Sequence, residues 1–313
     1  MKLNLNNTAF VFPGQGSQTV GMGKSLAEEQ TIAKEVFAEA DSILGFALSD
    51  LMWNGPDVEL NDTVNTQPAL FIHSIASFRT FTRLYPDLVP AALAGHSLGE
   101  LSALTASGAL SFEDGLRLVR KRGELMKRAG ELAPGSMAAI LGVDIPTLDK
   151  VCAEASVTDE LVQVANDNCP GQVVISGSKA AVERAMAGAK AAGAKRALPL
   201  AVSIAAHSPL MASIQDEWNQ AVDEASMHHP KTPVIGNVHA SVLKTAEEAR
   251  ADIKAQMQSR VKWTDSVKTI SNMGVTAFVE VGTGSVLGGL VKRIVSDAVS
   301  YPLGNPQDFS ALE

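Results

Sequence analysis

One eleven-residue stretch, "AGHSLGELSAL" at 94–104, constrains this chain more than any other. The apolar run "PAALAGHS" (90–97) predicts a short buried strand, and "LGELSALTASGAL" (98–110) predicts a helix directly after it. Between them sits Gly95-His96-Ser97-Leu98-Gly99, a G-x-S-x-G pattern. A serine at so sharp a turn is forced into a strained backbone conformation. Small residues two positions to either side let the chain fold tightly enough to expose its Oγ. The following helix points its N-terminus at the site, where free N–H groups and the dipole favour a developing negative charge. The competing interpretation is a glycine-rich turn that happens to contain a serine. Strand before and helix after favour the nucleophile.

The rest of the chain supplies a scaffold of the same kind. "TAFVFPG" (8–14) reads as a buried strand ending at a Pro-Gly turn. Helices are predicted at 25–44, at 65–84 with Pro68 in the first turn, and at 111–130 with Ser111 as N-cap and Asp114 three residues on. The pattern then changes. Strands at 136–143, 160–167, 171–177 and 194–202, with helices at 145–156 and 179–193, give the order β-α-β-β-α-β. That is the signature of a ferredoxin-like unit. After it, helices at 209–226, 245–261, 263–274 and 285–295 alternate with strands at 232–238 and 277–282. The expectation is an α/β protein with a mostly parallel sheet covered on both faces, 1–131 and 204–313, and an inserted subdomain at 132–203.

Composition narrows the function. The chain has 313 residues, 46% of them apolar, ample for a large core. No apolar run approaches the ~20 residues that a membrane span needs. The N-terminal stretch lacks the pattern of a secretory signal. Net charge is −8, which argues against nucleic acid as the main partner. Two cysteines, Cys152 and Cys169, give neither a disulfide framework nor metal spacing, so free thiols in a reducing cytoplasm are expected. His228, His229 and His239 are read as solvated loop residues rather than ligands, and no metal is expected.

A serine nucleophile needs a base. Six histidines are candidates: His73, His96, His207, His228, His229 and His239. His96 adjoins Ser97, so its side chain should point away. His73 falls inside an amphipathic helix, where a satisfied core residue is the plainer interpretation. His207 sits in "AVSIAAHSPLM", at a strand end, where α/β proteins place function. The loop "FVFPGQGSQTVGMG" (10–23) matches neither G-x-G-x-x-G nor a phosphate-cradling loop. It can still bring one backbone N–H, such as that of Gln15, to an oxyanion hole. "RLVRKRGELMKR" (117–128) holds six basic residues against one Glu, mostly a solvated face. Arg122, followed by Gly123, can turn inward and pair bidentately with a carboxylate.

Together "FVFPGQGSQTVGMG", "TQPAL", "AGHSLGELSAL", "KRGELM", "GQVVISG", "AKRALPL", "HSPLM" and "EVGTGSVLGGL" resemble blocks of the malonyl-CoA:acyl carrier protein transacylases, in family order and across nearly the whole chain. The resemblance implies an α/β-hydrolase-like large subdomain with a ferredoxin-like small one. It implies Ser97 as the acylated nucleophile, His207 as its base, and the N–H groups of Gln15 and Leu98 as the oxyanion hole. Arg122 would hold the malonyl carboxylate. The carbonyl orienting the histidine would be that of Gln256, with Gln258 close by, and Asn166, Asn168 and Met126 would line the pocket. The implied substrates are malonyl-CoA and the phosphopantetheine thiol of an acidic acyl carrier protein, with no bound cofactor and a monomeric enzyme. Lys121, Lys127, Arg128, Lys190, Lys195 and Arg196 are candidates for a basic rim facing that partner. The chain departs from the family pattern at Ala205 and Ala206, which are small, at Cys169, where serine is frequent, and at Thr283, where proline is frequent.

Overall fold

The computed structural model describes residues 7–311. Its strands are β1 (Thr8–Phe12), β2 (Ala92–Gly95), β3 (Gly135–Leu141), β4 (Val162–Cys169), β5 (Gln172–Ser178), β6 (Arg196–Pro199), β7 (Val234–Ile235), β8 (Val242–Leu243), β9 (Ala277–Val281) and β10 (Val299–Leu303). They form two sheets, one of six strands in the order β10-β9-β1-β2-β7-β8 and one of four in the order β4-β5-β3-β6. The first is parallel from β10 through β7, and only the edge strand β8 runs antiparallel. The second is antiparallel throughout. This is the expected mixed α/β architecture, with the β-α-β-β-α-β order producing the four-stranded sheet.

The uninterrupted apolar run of β1 follows from its place at the centre of the parallel sheet. All five residues are buried. Phe10 and Phe12 enter one core cluster, while Ala9 and Val11 enter the cluster on the opposite face. A strand covered on both sides has no solvent face to mark with polar residues. The helix Thr63–Leu84 packs on the first face, where Phe78 and Phe81 meet Phe10 edge-on. Trp263 and Leu287 cover the second. In the four-stranded sheet, helices Ile145–Ala155 and Lys179–Ala191 cover one face. The other face carries the small cluster Met137, Ala165 and Val174 with Ala206 against it, beside the cavity.

Several local expectations change. The predicted helix 25–44 is two helices, Lys24–Glu29 and Thr31–Leu44, broken by an extended Gln30. Leu26, Ala27, Ala33, Val36 and Ala40 keep their inward phase across the break, so periodicity alone does not reveal it. The helix predicted at 209–226 begins as a 3-10 turn, Pro209–Ile214, before the α-helix Gln215–Glu224. The strand predicted at 232–238 shortens to Val234–Ile235, because the chain turns at Gly236 to send Asn237 toward Ser97. Thr283 hydrogen-bonds His73 Nδ1 at 2.7 Å, and Gly304 O lies 2.9 Å from Nε2. His73 is therefore the satisfied core residue expected, and Cys169 packs in the second core cluster.

Candidate active site

Ser97 lies two residues beyond β2 and precedes the helix Gly99–Ala106 with a φ of 52°. A Cβ on Gly95 would lie 1.9 Å from the Gly99 backbone, and one on Gly99 would lie 2.1 Å from Phe12 O. No side chain fits at either, which is why the pattern needs both glycines. Asn237 holds the strained turn from below. Its Oδ1 accepts from Ser97 N–H (2.7 Å) and its Nδ2 donates to Gly95 O (2.7 Å).

Of the six histidines, His207 reaches the serine. Its Nε2 is 2.8 Å from Ser97 Oγ. It too has a left-handed backbone, φ 58°, in a turn closed by Ser208 Oγ donating to Ala205 O. Two carbonyls face its other nitrogen: Gln256 O at 2.9 Å and Ser259 O at 3.2 Å from Nδ1. They keep the proton on Nδ1 and leave Nε2 free to accept from the serine. Gln256 ends the helix Ala246–Gln256, where carbonyls lack intrahelical partners and carry the negative end of the dipole. Burial, and then the nearby Arg122 charge, push the His207 imidazole down to about 3. It is thus neutral, a proton acceptor, across the physiological range. His96 turns aside, with Nε2 2.8 Å from Asn168 Oδ1 and its ring edge-on to Trp263.

Arg122, on the helix Phe112–Leu132, does turn inward and is 1% exposed. Its Nη2 donates to Ser97 Oγ (3.1 Å) and to Gln256 Oε1 (2.9 Å), and its Nη1 donates to Gln67 Oε1 (2.9 Å) and Met126 Sδ (3.3 Å). Desolvation lowers the guanidinium to about 10, so it remains charged. Among the described residues no carboxylate forms an ion pair with it, whereas its basic neighbours are paired on the surface: Arg117 with Glu113, Arg120 with Glu124, Lys127 with Asp62, and Lys121 and Arg128 with Glu217.

Ser97, His207, Arg122, Gln15, Leu98, Met126, Asn166 and Asn168 line one cavity of about 580 Å³. Met137, Val174, Val202, Ile204 and Ala206 form much of its apolar wall. Among the described residues, the N–H groups of Gln15 and Leu98 find no backbone acceptor. Gln15 Oε1 accepts from Thr63 Oγ1 at 2.9 Å, which steadies its loop. Gln256 does more than its carbonyl promised: its side-chain Nε2 also donates to Ser97 O at 2.9 Å. Four contributors went unseen in the sequence, namely the Gln256 side chain, Asn237, Gln67 and Gln163. Gln163 on β4 donates to both His207 O (2.8 Å) and Gln258 O (2.9 Å), tying the base loop to the smaller sheet. Amides follow no spacing rule, and "GNVHA" or "LVQVAN" carries no recognisable signal.

A serine in a strained strand-to-helix turn, hydrogen-bonded to a carbonyl-oriented histidine, defines an acyl-group enzyme of the serine type. The acyl transferase domain family matches residues 9–302. The chain is 44% identical over 305 residues to the malonyl CoA-acyl carrier protein transacylase of Haemophilus influenzae, covering 97% of each. The crystal structure of an acyl carrier protein S-malonyltransferase from Vibrio cholerae superposes with a TM-score of 0.95 at 42% identity, over 98% of this chain and 100% of that one. A type II PKS acyl-carrier protein in complex with its malonyl-transacylase gives 0.93 at 41%, over 98% of both chains. The chain belongs to the malonyl CoA-acyl carrier protein transacylase family.

Proposed function

We propose that this protein moves a malonyl group from malonyl-CoA to the phosphopantetheine thiol of an acyl carrier protein, through a malonyl ester on Ser97. The observation that carries this reading is Arg122: a buried guanidinium without a carboxylate partner among the described residues, one nitrogen 3.1 Å from the nucleophile. Such a cation calls for an anionic ligand whose reacting carbonyl sits close by, which is the shape of a malonyl thioester.

The steps follow from the contacts. His207 Nε2 takes the Ser97 Oγ proton as Oγ attacks the thioester carbonyl. The oxyanion lies against the N–H groups of Gln15 and Leu98. Collapse expels the coenzyme A thiolate, which leaves with the proton from His207. The carrier thiol then gives its proton to His207 and attacks the ester, and Ser97 recovers the proton. The imidazolium formed in each half is stabilised by the Gln256 and Ser259 carbonyls.

In this reading residues 132–203 are an inserted subdomain, and the enzyme works as a cytoplasmic monomer with no bound cofactor, supplying fatty-acid or polyketide synthesis. The basic rim shrinks. Lys121, Lys127 and Arg128 are engaged by this chain's own carboxylates, leaving Lys190, Lys195 and Arg196, all exposed, for the carrier. Intact-mass analysis after malonyl-CoA treatment should show one added malonyl on the wild type and none on Ser97→Ala. The adduct should persist in water and discharge onto carrier protein. Rapid release without an acceptor would instead make the protein a hydrolase, for which a carboxylate clamp has no use.

A further inference from the structure

Two carboxyl groups lie behind the nucleophile: Glu100 on the helix Gly99–Ala106 and Asp252 on the helix Ala246–Gln256, 0% and 4% exposed. Neither lines the cavity, and the acyl-transfer steps use neither. Two carboxylates in contact in a dry interior cannot both be ionised, so one retains a proton. Their partners indicate which. Asp252 Oδ2 accepts from two backbone N–H groups, Asn237 at 3.1 Å and Val238 at 3.3 Å. Glu100 Oε2 accepts one side-chain N–H, from Gln256 Nε2 at 2.6 Å. Two fixed backbone donors converge on one Asp252 oxygen, so the proton is assigned to Glu100. The remaining oxygens, Glu100 Oε1 and Asp252 Oδ1, meet no donor among the described residues. Asp252 stands one helical turn before Gln256, the residue that bonds Glu100, which brings the two carboxyls together, and an O–H on Glu100 directed at Asp252 would satisfy both oxygens at once.

We propose that Glu100 is a protonated positioning residue, whose carboxyl O–H donates to Asp252 Oδ1 while its other oxygen accepts from Gln256, so that Gln256 anchors Arg122 without placing a second anion beside it. The proposal rests on Arg122 as the malonyl clamp. The neutral form matters because Gln256 bonds both Glu100 and Arg122, so an ionised Glu100 would stand one residue away from the guanidinium. Ionised, it would compete through space with the substrate carboxylate for the guanidinium. Burial and the Asp252 charge push the Glu100 carboxyl well above the usual carboxylate range, in agreement with the contacts. The same pair supports the elbow, because Asp252 holds Asn237, and Asn237 holds Ser97 N–H and Gly95 O. One shared proton thus braces both the nucleophile turn and the clamp.

Infrared difference spectroscopy of the full chain near neutral pH tests the proton directly. Wild type should show a protonated-carboxyl C=O band that Glu100→Gln lacks, and its absence from wild type overturns the proposal. That measurement needs no substrate, so it fails or succeeds separately from malonyl-serine formation. Kinetics test the positioning. Glu100→Ala should raise the KM for malonyl-CoA by roughly tenfold with a smaller change in kcat. Glu100→Gln, which keeps one donor and one acceptor, should recover most of that loss, and Glu100→Asp should not. A Gln variant as impaired as the Ala variant overturns the neutral-acid role. If the Ala variant does not fold, the infrared band and the Gln-against-Asp contrast decide.

Discussion

At the cavity, the segments that follow strands of the six-stranded sheet carry Ser97 and Arg122, with Gln256 bonded behind them, whereas the four-stranded sheet presents Met137, Asn166, Asn168 and Val174. The first set is reactive or charged, and its members hydrogen-bond one another. The second is apolar or amide, and it bounds the space. The difference has a topological cause. Parallel strands all end on the same side, so loops and helix termini from distant parts of the sequence gather there with their unpaired N–H and C=O groups. An antiparallel sheet offers a face instead, and a face is a wall. Two amides reach out from the wall: Gln163 braces the His207 loop, and Asn168 meets His96 beside Ser97.

The widest test of this division removes the charge. Arg122→Ala should lower kcat/KM for malonyl-CoA by about two to three orders of magnitude, in line with loss of a buried charge partner, and should narrow the preference over acetyl-CoA. A variant that keeps wild-type discrimination would show that the wall, not the reactive side, selects the substrate.

A second test uses acid. Two buried histidines, His73 in the core and His207 at the cavity, lie on the side of the six-stranded sheet, and among the described residues the four-stranded sheet has none. Burial lowers His73 to about 4 and His207 to about 3. Below an unfolded value near 6.5 the unfolded chain binds protons that the folded chain refuses, so stability falls as pH falls from about 6.5 toward 4. His73 alone should cost about 2 kcal/mol at pH 5 relative to pH 7. The raised Glu100 acts in the opposite sense, losing stability as pH rises, so the His73 share is the difference between wild type and His73→Gln in urea titrations at both pH values. An unchanged pH dependence in the variant would refute it.

The smallest effect belongs to the wall. Asn166→Ala should change kcat/KM by less than about fivefold and leave discrimination intact, since truncations that break no buried network are mild. A large loss of kcat would move Asn166 to the reactive side.

The fold was legible because its signals are local. Alternation, capping by Ser111 and the two glycines of the elbow each follow from sterics over a few residues, and Ser111 does accept from Asp114 N–H. The site was legible where chemistry demands a rare residue in a rare turn. It faded where ordinary amides act at a distance. Asn237 lies 140 positions from Ser97, and Gln256 lies 134 from Arg122. The local pattern around Asn237 predicts a continuing strand, and tertiary demand on its side chain overrides it. The positive φ of His207 likewise follows from the Ser208–Ala205 turn and has no glycine to announce it.

Gln256 touches His207 with its carbonyl, Arg122 with its side-chain oxygen and the Ser97 backbone with its nitrogen. For anyone altering the acyl group this enzyme accepts, that makes it a poor dial. A change there disturbs His207, Arg122 and the Ser97 turn together, so gains and losses arrive coupled. Residues of the wall such as Met137 and Val174 present apolar side chains to the cavity and take no part in that hydrogen-bond network, so selectivity can be retuned through them one property at a time.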